Sequence, residues 1–444
     1  MLEKNIIPHK EPLLRVGIVL PEDGMDQIVI RIPKDTCYSL NDAEGTSRIL
    51  SDEKLLFTKS DDKVVLASGE LSKTWTINPV HPVQIGPEKG LIVKGIVAGR
   101  GFHWHKYIDV FLPGSIEITR IKRSLILTNE LPLEQYLMCV ATSEMGAKCP
   151  SALIEAQTIV ARSWMLANVE QKHVDLGMDV CNDDCCQRYQ GTGNLSTQSI
   201  NGAQKTAGQV LMYKNQICDT RYSKSCGGVM ETFATIWGGN DKPYLQSIPD
   251  AAQDFSHNAL PLSSEVAVKS WIDATPHSFC SAITVPEASL KQYLGNVDEQ
   301  GKYFRWEVRQ NQSDLVGLLN QRLNLNAKSI IDLIALQRGG SGRIIKLKII
   351  YSDQEDQTKE WIVDRDFEIR RVLHQGFLYS SCIYFEKIFA ESIDIPDKFI
   401  IHGAGWGHGV GLCQIGALGM SLQGYDVDQI LKHYYPSSRL HKIY

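Results

Sequence analysis

The chain has 444 residues, enough for two or three average domains or one domain with large insertions. Its 43% apolar and 22% charged content is ordinary for a globular protein, and a formal charge of −5 gives no reason to expect nucleic acid as a partner. Residues 403–425 lack Asp, Glu, Lys and Arg, yet eight glycines with His408, Gln414 and Gln423 make them too polar and flexible to span a membrane.

In chain order, residues 14–34 alternate apolar and polar and read as two short strands around a turn at Pro21–Gly24. No secretory leader is legible, because the apolar run Leu13–Leu20 is interrupted by Arg15 and followed at once by Pro21. Leu91–Thr128 carries several more strand-like runs. The period then changes: Leu133, Tyr136, Leu137 and Val140 form one helix face, with Pro132 in its first turn. Cys149-Pro150 breaks the chain, and Ser151 is expected to cap a second helix running to about His173. Residues 255–335 read as a separate excursion, with helices near 263–275 and 313–325. A turn at Arg338–Arg343 leads into a strand, Ile344–Tyr351, and Ile369–Tyr379 reads as helical. The strand Lys398–His402 feeds a glycine-rich loop, followed by a helix over Gln414–Leu422 stopped by Gly424. Asp426 caps a last helix that ends at Pro436. The expected class is α+β: strand-rich, with inserted helices and an additional insertion.

Four stretches carry chemistry. Glu144 sits where one helix ends and another is about to begin; partial burial there would keep its carboxyl protonated, as a general acid requires. Cys181, Cys185 and Cys186 cluster at a spacing that suits tetrahedral zinc, with His173, Cys218 or Cys226 as the fourth ligand. Eleven cysteines cannot all pair within one chain, which favours a local metal or thiol site over a disulfide framework. Ser223, before Gly227-Gly228, is placed to hydrogen-bond a polar ligand. In the last stretch glycine recurs at every second position from Gly403 to Gly411, with Trp406, His408 and Gln414 interspersed. Such a run is tolerated where backbone must approach something closely, a sugar or another segment of the chain.

Taken together, several motifs in one order resemble the stage II sporulation protein D family, which includes the amidase enhancers. They are Leu131-Pro-Leu-Glu-Gln-Tyr-Leu137, Ser143-Glu-Met145, Ala152–Trp164, Gln187-Arg-Tyr-Gln-Gly191, Tyr222–Gly228, Trp237–Leu245, Gly405–Ala417 and Ile430–Pro436. The segment with Phe304-Arg-Trp-Glu-Val308 is similar to the longer, Bacteroidetes-like members. The resemblance implies four parts: an N-terminal strand-rich segment, 1–94; a first part of the core with Glu144, 95–250; an insertion, 251–335; and a second part with the His408 loop, 336–444.

It also implies lytic transglycosylase action on peptidoglycan glycan strands, with Glu144 as the general acid and base. The expected product is a 1,6-anhydro end. A glycosidase ordinarily needs a second carboxylate, and none stands in these motifs; here the substrate's own 6-hydroxyl would be the nucleophile. By the same resemblance Tyr189, Ser223, His408 and Gln414 would line the groove, and Arg162 would meet a muramic carboxylate or pair with a helix acid. A structural zinc at His173, Cys181, Cys185 and Cys186 is implied, although Cys185 stands where close relatives carry His. The chemistry itself requires no cofactor. Glycan strands and a cell-wall amidase are the expected partners. The expected place is the periplasm or envelope, with the leader absent from this chain. The alternatives are a non-catalytic peptidoglycan binder that enhances an amidase, and a zinc hydrolase.

Overall fold

Alternating apolar residues build antiparallel sheets through the first half of the chain. In the computed structural model, which describes residues 1–4, 6–101, 105–252, 255–256, 259–294, 302–390 and 394–444, the chain divides into two units. The first comprises Met1–Asp219, Gln292–Asp298 and Arg439–Tyr444; the second comprises Thr220–Lys291 and Glu299–Ser438.

In the first unit, Leu13–Val19 lies between Ser124–Pro132, antiparallel, and the short strand Val180–Cys181, parallel. That sheet continues through Ser115–Ile121, Thr74–Pro79, Tyr38–Asn41 and Ser47–Leu50. A second sheet pairs Gln27–Arg31 with Lys54–Ser60 and with Leu91–Ala98. The two strands expected around Pro21–Gly24 therefore exist but do not pair with each other. Alternation says which face is buried, not which strand lies alongside. Ile28, Ile30, Ile32, Leu14, Val16 and Ile118 share one core with the helical residues Tyr136, Leu137 and Val140.

Two helices complete this unit's central part, Leu133–Glu144 and Ser151–Ala167. Pro132 and Pro150 stand as the capping residues, one position earlier than the sequence suggested for the second helix. That helix stops at Ala167, not near His173, because Asn168 turns left-handed (φ 43°), a conformation its short amide side chain tolerates. It is buried around nearly its whole circumference, with Ile154, Ile159, Val160, Arg162 and Met165 among the enclosed residues.

In the second unit, Lys398–Ala404 is the middle strand between Arg305–Asn311 and Ile383–Ile388. Arg305–Asn311 comes from within the expected 251–335 insertion, so that segment contributes directly to the sheet that feeds the glycine loop. A second sheet, Ala327–Arg338, Ile344–Asp353 and Thr358–Asp364, packs with the helices Gln312–Leu323 and Asp366–Leu373 around Leu315, Leu319, Leu347, Ile369 and Phe399. The helix expected over 369–379 is displaced: His374 is extended and Phe377 has φ 83°, so the apolar residues beyond Leu373 belong to a loop. Gln414–Leu422 and Val427–Tyr434 form as expected, the latter capped by Asp426. Glu287–Leu294, whose last residues from Gln292 belong to the first unit, is a further helix that the polar sequence did not announce. The whole is α+β and strand-rich. Among the described residues no helix is long and apolar enough to cross a membrane.

Candidate active site and metal centre

Glu144 is the last residue of its helix; Met145 is already extended. The chain leaves through Gly146, whose N–H donates to the Tyr293 carbonyl at 2.6 Å. The Glu144 side chain is about nine-tenths enclosed (9% exposed), and its Oε1 accepts the backbone N–H of Arg188 at 3.0 Å. Burial of a carboxyl at this cost requires such a donor.

The donor is positioned by the Gln187–Gln190 strip, which is pinned residue by residue. The Gln187 amide donates to the Ala161 carbonyl (3.1 Å) and accepts the Tyr136 hydroxyl (3.2 Å). The Arg188 guanidinium forks onto Asp184, with both bonds at 3.0 Å. Tyr189 stacks on Tyr136 at 5.1 Å and donates to Asn129 Oδ1 at 2.7 Å. Tyr189 is completely enclosed, so the geometry makes it a buried brace for the strip that holds Glu144.

Arg162, also completely enclosed, spends its guanidinium on the helix acid Glu134: Nε to Oε1 at 2.9 Å and Nη2 to Oε2 at 2.6 Å. Its Nη1 donates to the Gln209 carbonyl, and the Tyr444 hydroxyl donates to Glu134 Oε1 at 2.7 Å. Of the two expectations for Arg162, this is the helix-acid pair.

His173, Cys181, Cys185 and Cys186 come together, with their ligand atoms all within 4.8 Å of one another. Cys185 Sγ lies 3.0 Å from Cys181 Sγ, 3.6 Å from His173 Nε2 and 3.9 Å from Cys186 Sγ. Hydrogen bonds from Cys181 and Cys186 hold the Cys185 thiol well below the usual range. Three sulfurs and an imidazole fit a structural zinc, and His173 takes the fourth place; Cys218 and Cys226 are not in this group.

The remaining expected residues belong to the second unit. Gly405, Gly407, Gly409 and Gly411 all have positive φ, from 71° to 99°. A Cβ on Gly411 would lie 2.1 Å from the Arg221 carbonyl, and one on Gly409 2.4 Å from Arg343 Cζ. The close approach that the glycine run demands is thus to other segments of this chain. Ser223, in a short strand parallel to Leu412–Cys413, accepts the Gly409 N–H through Oγ at 3.1 Å. His408 Nδ1 accepts the Val410 N–H at 3.0 Å, which places the ring proton on Nε2, and the ring also bonds the Tyr222 backbone. Removal from water, then Arg221, Arg343 and Arg370, push His408 far below the usual histidine range, so the ring is neutral. Trp237 meets that ring edge-on at 4.9 Å and lies under the Arg221 guanidinium at 4.7 Å. Gln414 is almost fully buried as the first residue of its helix. Ser223, His408 and the loop glycines therefore form one hydrogen-bonded cluster.

Sequence reasoning did not find Arg221, Glu231 and Arg343. Glu231 accepts both the N–H and hydroxyl of Ser341, and Arg343 donates to Ser341 Oγ and the Gly407 carbonyl. Nothing in their local sequence marks them: Ser341 is two residues from Arg343, but Glu231 meets it from 110 residues away and Gly407 is 64 residues from Arg343.

Residues 122–213, which contain Glu144, Arg162 and the cysteine cluster, match the family model described as Stage II sporulation protein. Residues 231–411 match one described as Domain of unknown function (DUF8618). An uncharacterized protein of Brachyspira hyodysenteriae is 25% identical over 322 residues, covering 72% of this chain and 70% of the relative. The Stage II sporulation protein D of Bacillus subtilis is 23% identical over 344 residues, 74% of this chain and 79% of the relative. The Bacillus subtilis Amidase enhancer is 24% identical over 304 residues, 68% of this chain but only 39% of that relative's length. Over residues 122–213 the chain thus carries a match to the stage II sporulation protein model, and over about 70% of its length it is similar to stage II sporulation protein D and amidase enhancer proteins.

Proposed function

We propose that this protein is a lytic transglycosylase that cleaves peptide-stripped peptidoglycan strands between N-acetylmuramic acid and N-acetylglucosamine. The observation that carries the reading is the enclosed Glu144 carboxyl, with Oε1 anchored on the Arg188 N–H, at the Glu-Met position the family resemblance marks as catalytic. The similarity to these proteins supports a cell-wall role, and with it a place in the periplasm or envelope.

In this mechanism the Glu144 carboxyl gives its proton to the glycosidic oxygen as the C1–O bond breaks. The resulting carboxylate takes the proton of the same sugar's 6-hydroxyl, whose oxygen bonds to C1. The 1,6-anhydro end forms, Glu144 regains its proton and no water is consumed, so one carboxyl serves twice. The Arg188 N–H is placed to steady the carboxylate midway. His173, Cys181, Cys185 and Cys186 would hold a structural zinc that fixes the loop leading into Arg188. Four protein donors leave no open position for hydrolytic chemistry, which disfavours the zinc-hydrolase reading.

The test is to incubate denuded glycan with the native protein and with Glu144→Gln and to analyse products by mass spectrometry. Anhydro-muramyl ends from the native protein alone support the proposal. Glycan binding without any such product would leave the amidase-enhancing binder, a role carried in the name of one relative.

A further inference from the structure

A second thiol cluster lies in the other unit, built from residues far apart in the chain. Cys226, Asp250, Cys280 and Cys413 are all buried, and their ligand atoms lie within 4.8 Å of one another. We propose that these four side chains hold a structural divalent cation of the zinc class, distinct from the His173/Cys181 centre and independent of the reaction assigned to Glu144.

The spacing is the first argument. Around a tetrahedral ion with Zn–S near 2.3 Å and Zn–O near 2.0 Å, two sulfurs stand ~3.8 Å apart and a sulfur and an oxygen ~3.5 Å apart. Here Cys226 Sγ is 3.7 Å from Cys280 Sγ and 3.4 Å from Asp250 Oδ2. A disulfide would bring two sulfurs to about 2.05 Å, far inside this separation.

The donors to these atoms are the second argument. Cys413 Sγ accepts the N–H groups of Cys226 (3.2 Å) and Gly416 (3.3 Å), and Cys226 Sγ accepts that of Gly228 (3.4 Å). Cys413 also caps the N-terminus of the helix Gln414–Leu422, whose dipole favours a negative sulfur. Backbone donors aimed at sulfur support thiolates, and buried thiolates require a compensating cation.

Asp250 is oriented as a metal ligand is. Tyr434 donates to Oδ1 at 2.7 Å, and His433 Nε2 lies 3.6 Å from the same oxygen. Oδ2 is left to face the sulfurs and accepts the Cys280 N–H at 3.2 Å. Gly416 has no room for a side chain here, since a Cβ would fall 2.4 Å from Asp250 Oδ2. Three soft sulfurs with one carboxylate and no open position select a structural zinc-class ion over magnesium or calcium. Its role is to tie the Cys226 and Cys280 loops to the end of the glycine loop at Cys413.

The experiment uses the full chain with Cys181→Ser and Cys185→Ser, which remove the first centre. Purified in metal-free buffer with reductant, that protein should retain about one equivalent of zinc by elemental analysis. Adding Cys280→Ser should reduce the content at least tenfold. Should that variant fail to fold, X-ray absorption on the Cys181→Ser/Cys185→Ser protein decides, the expected shell being three sulfurs and one oxygen. No retained zinc, a shell with fewer sulfurs, or a mass showing two of Cys226, Cys280 and Cys413 joined in a disulfide would overturn the assignment.

Discussion

Replacing Arg162 by methionine separates a structural arginine from one that reads substrate. The guanidinium is wholly enclosed and carries both of its strong bonds to Glu134, itself only 8% exposed. Methionine fills much of the volume but leaves the carboxylate buried with, among the described residues, the Tyr444 hydroxyl and the Gly208 N–H as its donors. Breaking one side of a buried pair costs about 3–5 kcal/mol, whereas removing both partners together is often close to neutral. At 1.4 kcal/mol per decade this is roughly two to three and a half decades in the folding equilibrium of the first unit. Urea unfolding followed by far-ultraviolet circular dichroism reads it. Arg162→Met should shift the first transition strongly, and Arg162→Met/Glu134→Leu should recover most of the loss. An Arg162→Met protein with unchanged stability but a raised KM for glycan would refute the reasoning and return Arg162 to the substrate.

Further outcomes follow from the glycine loop and the candidate metal cluster at His173 and Cys181. Gly409→Ala meets Arg343 at 2.4 Å as well as a positive φ, whereas Gly238→Ala meets only the φ, with open space around it. Gly238→Ala should cost about 1–2 kcal/mol and Gly409→Ala clearly more, read by thermal unfolding; equal losses would contradict the packing account. His408 is held neutral, so its folded pKa lies below its unfolded value near 6.5. The unfolded chain then binds the extra proton, and its contribution to stability is present above that value and lost as pH falls towards the folded pKa. His408→Gln should flatten this acid-side slope, and nitrogen-15 NMR should show the Nε2–H tautomer persisting at pH values where free histidine is charged. Cys181→Ser, or metal removal by a chelator, should speed amide exchange over residues 179–190, the loop that leads to the Arg188 N–H; unchanged exchange would argue against a structural metal there.

The helix Leu133–Glu144 was legible because its apolar residues Leu133, Tyr136, Leu137 and Val140 repeat at i, i+3 and i+4, whereas the more polar Glu287–Leu294 was not. Strand partners were not: Leu13–Val19 and Gln27–Arg31 look alike in sequence yet enter different sheets. Helix ends depended on single backbone turns, at Asn168 and His374, that periodicity does not encode. The first candidate metal cluster was readable because three of its cysteines lie within six residues. The second was invisible, since Cys226 and Cys413 are 187 positions apart and Asp250 resembles any other acid until the fold is known. The glycine alternation correctly signalled close approach, but only coordinates could show that the approaching groups are Arg221, Ser223 and Arg343.

The central claim is that Glu144 passes the sugar's own 6-hydroxyl, and not water, to the anomeric carbon. Digestion of peptide-stripped glycan in oxygen-18 water, with the new ends resolved by mass spectrometry, tests this directly. The account predicts anhydro ends free of heavy oxygen, and none at all from Glu144→Gln. Heavy oxygen at C1 of the new reducing ends would mean hydrolysis and would contradict it.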